Sequence, residues 1–275
     1  MTRTGTWVRQ HRLPVFVVLA YVLAWAPWPL AAAGVLPEGF AFFAGAPLLA
    51  AVIVIGIAEG RAGYRELLSR LLRWRVGWAW YVVAVGLPAV LVLVTGLVNA
   101  WFGAPRLDLT TVAWGEVTLL LALRMVDPGD GALGEEPGWR GYALPRLQTR
   151  WSPLTSAAVL GVATAGWHFP LVPLGHLTWI GLPTTFVITF LYVWLFNRTG
   201  GSLLLVMLFH AGQGAFTYGT LGFDGADERR AGIIYLAAVC VAVVATVVLD
   251  SAAWRTAPPS AQAAAREPAT VLGRH

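Results

Sequence analysis

The chain has 275 residues, of which 57% are hydrophobic and only 12% charged, with 30 Gly, 17 Pro and 14 Trp. That balance excludes an ordinary soluble globular domain and points to a membrane protein with several spans, since each crossing needs roughly 20 mainly apolar residues. The formal charge is +5 and all 19 basic residues are arginine; they stand in the connections between apolar runs, so they report orientation rather than a nucleic-acid surface.

Apolar runs lie near 13–33, 40–58, 78–102, 112–134, 154–170, 178–196, 201–221 and 231–249. The expected fold is all-α, a polytopic transmembrane helical bundle of about eight spans. Arg3, Arg9 and Arg12 precede the first run. With "LAAAG" after it, that run has features of a secretory signal, but it is longer than a usual signal core, so a retained first helix is expected. Five arginines, Arg61 to Arg75, follow the second run. The fourth run contains the breaker "VDPGDG", in which Asp127 before Pro128 matches a helix start. This predicts a broken helix. One piece ends near Val126, and a second begins at Pro128 and carries Glu135 and Glu136 about two turns in.

Arg146 and Arg150 follow that run, Arg198 follows the sixth, and Arg255, Arg266 and Arg274 lie in the tail. The alternate connections "GVLPEG" and "VPLGHL" have no arginine, and "FDGADERR" offsets its two with three acids. The alternation places both termini in the cytoplasm. Tryptophans near the run ends, such as Trp28, Trp78, Trp101 and Trp179, fit an interfacial belt. Cys240 reads as a small core residue that can form no internal disulfide. Residues 1–250 are therefore expected to form one integral-membrane domain, with 251–275 a disordered cytoplasmic tail.

Ionisable residues inside spans are costly and usually face a cavity or a partner. Arg124 and Asp127, three apart, read as a neutralising pair on one helix face, and Glu116 as a solvated span end. Glu136 and Arg140 have the favourable acid-first i,i+4 spacing, although Pro137 between them implies a kink. Glu135 points about 100° away from Glu136, which leaves one acid for structure and one for chemistry. His168 in "GWHFPL" and His210 in "FHAGQGA" add two imidazoles on other spans. A carboxylate and an imidazole together can activate water, and a second imidazole with a neighbouring amide can stabilise an oxyanion. The same Glu-His-His set could instead bind zinc. Both routes end in hydrolysis of an amide or ester, and no Ser or Cys is placed for acyl-enzyme chemistry.

These residues resemble the motifs of the CaaX protease and bacteriocin-processing (Abi) family of intramembrane peptidases. Glu135, Glu136 and Arg140 match its first motif, His168 its second and His210 its third, over about residues 110–222. The string "GEEPGWRGYALPRL" is similar to bacterial members, which implies a bacterial plasma membrane. The resemblance implies about eight helices around a cavity open to the cytoplasm, with the lipid bilayer and a membrane-associated peptide as partners and no nucleic acid. It implies that Glu135 and His168 activate water, that His210 helps to form the oxyanion site, and that Glu136 with Arg140 holds the motif helix. Members were named metalloproteases, and a metal-free glutamate mechanism is the alternative; zinc stays open at this point. Two positions depart from the pattern. Thr164 stands where the second motif usually has an aromatic residue, and Gly214 where the third usually has Asn. Gln213, on nearly the same face as Gly214, is the expected replacement donor. A helix from Pro153 puts His168 roughly 22 Å along its axis, so either that helix starts later or the site lies deep. The rival readings are a proton-coupled transporter, disfavoured by the lack of an internal repeat, and a catalytically weak scaffold of the same fold.

Overall fold

The computed structural model describes residues 3–129 and 131–255, and no strand occurs among them. The N-terminal part comprises α1 (Arg3–Gln10), α2 (Arg12–Trp25), α3 (Pro27–Ala32), α4 (Ala46–Ala58) and α5 (Arg61–Leu71). Then come α6 (Trp78–Trp101), α7 (Trp114–Val126) and a motif helix built from α8 (Gly131–Glu136), a π-helical segment (Pro137–Ala143) and α9 (Leu144–Leu147). The remainder is α10 (Pro153–Trp167), α11 (Gly181–Arg198), α12 (Leu203–Ala215), α13 (Gly225–Leu249) and α14 (Ala252–Arg255).

The described residues are therefore all-helical in their regular structure, and among them three stretches are long and apolar enough to cross a membrane: Arg12–Ala32, Trp78–Trp101 and Gly225–Leu249. Their outward faces carry exposed Val18, Val22, Val82, Leu97, Val244 and Val248, a surface suited to lipid. Most other runs fold as shorter helices, 13 residues in α4, α7 and α12 and 15 in α10. Their length follows from local stops. Asp127 ends α7, and Ser152 and Ser202 cap the N-termini of α10 and α12, accepting from Thr155 N and Leu205 N.

The first apolar segment is packed into the core. Phe16, Ala20 and Ala24 of α2 are fully buried. Trp167 Nε1 donates to the Ala20 carbonyl at 3.0 Å, and Trp25 Nε1 donates to the Trp167 carbonyl at 3.0 Å. Phe16 and Trp167 each sit edge-on to Trp139 of the motif helix, with ring centroids 5.3 and 5.9 Å away. These aromatic pairs fix how the motif helix sits between the N-terminal and central helices.

Two expectations need correction. The second half of the broken helix begins at Gly131, not Pro128. Asp127 caps the end of α7 and accepts from Gly129 N at 2.8 Å, and the chain turns back at Gly131 with φ +58°. That conformation favours glycine. The tail does not end its order at 251. Trp254 in α14 is buried, with its ring against Phe190; residues 256–275 lie outside the described part. The arginine-rich connection after α4 forms the helix α5, whose Arg70 is buried against the motif helix.

The motif helix approaches α4 at backbone distance, because Gly134 and Gly138 present no side chain. A methyl group at Gly138 would lie 2.5 Å from the Pro47 carbonyl carbon. Gly138→Ala is therefore expected to lower the melting temperature in detergent, by about 1–3 kcal/mol of stability or more, since backbone atoms must move. A melting curve coinciding with that of the native chain would show that α4 can retreat freely.

Candidate active site

The motif helix changes register where its chemistry lies. Proline at 137 and 145 and glycine at 138 and 141 weaken the α ladder, and the turn widens so that Leu144 N bonds to the Trp139 carbonyl, five residues back. Pro145 has no N–H for the Gly141 carbonyl; Arg70 Nη1 donates to it instead at 2.9 Å. Arg146 Nη1 donates to the Tyr142 carbonyl at 2.6 Å, and its Nη2 pairs with Glu59 of α4–α5 at 2.5 Å. Two arginines thus brace the wide turn from below.

Above it, the two glutamates separate as the helical geometry requires. Glu136 is fully buried. Its Oε1 accepts from Arg140 Nη1 at 3.0 Å and from His210 Nδ1 at 2.6 Å. The first contact matches the sequence expectation. The second joins the motif helix to α12 and orients the His210 ring. Arg140 also donates to Thr189 Oγ1 at 3.2 Å and lies over the Tyr192 ring at 4.2 Å, so its charge is enclosed by acid, hydroxyl and aromatic face.

Glu135 faces the other way, into a cavity of about 840 Å³ that His168, His210 and Gln213 also line. Its Oε2 lies 3.9 Å from His168 Nε2. His168 follows the last residue of α10, a helix that does begin at Pro153, so the site lies deep, roughly 22 Å along that axis. Its Nδ1 is 2.8 Å from the Thr164 carbonyl. A carbonyl only accepts, so Nδ1 carries a proton, and in the neutral tautomer Nε2 then presents its lone pair toward Glu135. Gln213 lines the cavity with its Oε1 accepting from Tyr192 Oη at 3.0 Å, and its amide also hydrogen-bonds to Tyr235 of α13. All six residues singled out in the sequence therefore gather at one site.

Thr164 places its hydroxyl 3.1 Å from that of Thr189, joining α10 to the Arg140 network. Sequence reading missed Thr189 and Tyr192. The signal was present in the polar spacing Thr185, Thr189, Tyr192 along one face of the otherwise apolar α11. The expected pairing of Arg124 with Asp127 gives way to a different placement. Asp127 turns to Gly129 N, while the Arg124 guanidinium lies against Gly131 and Gly214 and lines the cavity.

The donor set tests zinc directly. Among the described residues no three His, Cys, Asp or Glu side chains converge as metal ligands. His168 Nδ1, His210 Nδ1 and Glu136 Oε1 are all engaged by protein groups. These bonds fix both rings and leave His168 Nε2 and the Glu135 carboxylate facing the cavity, and the chemistry is derived from those side chains.

Residues 130–216 match the family model described as type II CAAX prenyl endopeptidase, Rce1-like. A protein named CAAX prenyl protease 2 from Methanococcus maripaludis is 32% identical over 92 residues, covering 28% of this chain. The match spans 32% of that relative's own length. This matched core carries both glutamates, both histidines and Gln213, so the similarity to type II CAAX prenyl endopeptidases lies in the part of the chain that holds the site.

Proposed function

We propose that the chain is an intramembrane endopeptidase that hydrolyses a peptide bond in a membrane-associated protein or peptide. The observation that carries this reading is the pair Glu135 Oε2 and His168 Nε2, two acceptors 3.9 Å apart facing the cavity. Two acceptors cannot bond to each other. A water molecule about 2.8 Å from each can donate a hydrogen to both and present its lone pair to a carbonyl carbon.

As the water oxygen bonds to that carbon, Glu135 takes the proton and the carbonyl electrons move onto oxygen. Collapse of the tetrahedral intermediate re-forms the C=O and breaks the C–N bond, and the proton passes to the leaving nitrogen. His210 Nε2 and the Gln213 amide are the donors for the oxyanion. Because His210 Nδ1–H is given to Glu136, a donating Nε2 requires a second proton on the ring as the oxyanion forms, while at rest the Glu136 carboxylate is paired with Arg140. Glu136 and Arg140 position His210 and the motif helix. In the same reading the eight apolar segments are embedded in a plasma membrane, with both termini cytoplasmic as the arginine alternation implies.

The test needs no known substrate. Protein termini are compared in membranes of cells expressing the native chain or Glu135→Ala at matched levels. New termini that vanish in the variant establish proteolysis and identify the substrate. Identical termini would overturn the peptidase reading.

A further inference from the structure

We propose that Arg124 is a catalytic residue, its guanidinium being the charged donor that receives the oxyanion beside His210; this rests on the peptidase reading above. Arg124 stands in the last turn of α7 and lines the same cavity as Glu135, His168 and His210. Its side chain runs between two glycines. A Cβ at Gly131 would lie 3.0 Å from Arg124 Nη1 and 3.1 Å from Cγ. One at Gly214 would lie 2.7 Å from Nη1 and 2.9 Å from Cζ. Gly214 is four residues after His210 on α12, so both project on one helix face, about 6 Å apart.

The guanidinium therefore occupies the volume that a side chain at 214 would fill, one turn from the imidazole. Glycine at that position is not a missing donor. It is the opening through which a donor enters from another helix. The choice of arginine has a chemical reason. The carbonyl oxygen is neutral in the bound peptide and carries a full charge in the tetrahedral intermediate, so a fixed cation binds the second far better than the first. A guanidinium keeps its charge throughout and offers several N–H groups in one plane. No proton leaves it; water attack, proton transfer to Glu135 and C–N cleavage proceed as above.

The geometry makes Arg124 and position 214 alternatives, and a mutant cycle on the full-length chain in membranes tests it. The readout is the rate at which Glu135-dependent protein termini accumulate, with melting in detergent recorded for each variant. Arg124→Ala is expected to lower that rate roughly 100- to 1000-fold when residue 214 is Gly. In a Gly214→Asn background, where an amide takes over the same volume, the same change is expected to cost less than about tenfold. If Arg124→Ala melts early, Arg124→Gln replaces it in both arms, keeping the stem between the two glycines. An equal loss in both backgrounds would mean that Arg124 acts elsewhere and would overturn the assignment, as would no loss in the native background. A native chain with no Glu135-dependent termini would remove the peptidase reading and this assignment with it.

Discussion

Glu135→Gln lowers the cleavage rate about 100- to 10,000-fold while the melting temperature stays at the native value. The magnitude is that of a positioned general base. The substitution keeps shape and volume but replaces one acceptor oxygen with an N–H donor and removes the basicity that takes the proton from water. Among the described residues Glu135 has no ion pair with arginine, and its ion-pair contact is with His168 at 3.9 Å. Little of the fold therefore depends on its charge. A steady-state assay on a substrate identified from the termini, run beside a melting curve, separates the two effects. A Gln variant within about tenfold of native would transfer the base role to His168 alone.

Arg140→Met is expected to act on stability first. Glu136 is 0% exposed, and Arg140 supplies one of its two hydrogen bonds. Removing one member of a buried ion pair leaves the other uncompensated, which costs roughly 3–5 kcal/mol. For a chain of this size that corresponds to a melting temperature lower by roughly 10 °C. Replacing both members, as Glu136→Gln with Arg140→Met, is expected to recover much of that loss, because no lone charge is then buried. The double variant would still cleave slowly, since His210 loses the carboxylate that orients it. Equal melting of the single and double variants would show that the pair contributes packing rather than charge compensation.

The helices were largely legible because hydrophobic runs mark them directly. The run near 78–102 became Trp78–Trp101, and the broken fourth run ended at Val126 as read. The division between Glu135 and Glu136 was also legible, since adjacent helical residues must face different ways. What escaped reading depended on distant parts of the chain. The Glu136–His210 bond joins residues 74 positions apart, and no local pattern announces it. The restart at Gly131 rather than Pro128 follows a turn in which Asp127 accepts from Gly129 N and Gly131 takes φ +58°, which the local residue pattern did not announce. Arg124 was misassigned for a similar reason. Asp127 was its obvious neighbour in sequence, whereas the space it fills is created by a glycine on α12.

The widened turn at Pro137–Ala143 has a consequence for phase. A π turn holds about one residue more than an α turn, so the part carrying Glu135 is rotated relative to the part carrying Arg146 by the share of a circle that one residue spans, about 100°. The lower part is anchored to Glu59 and the upper part faces the cavity. That surplus residue is what allows a single helix to answer both demands: without it, the anchor and the carboxylates could not point to their partners at once.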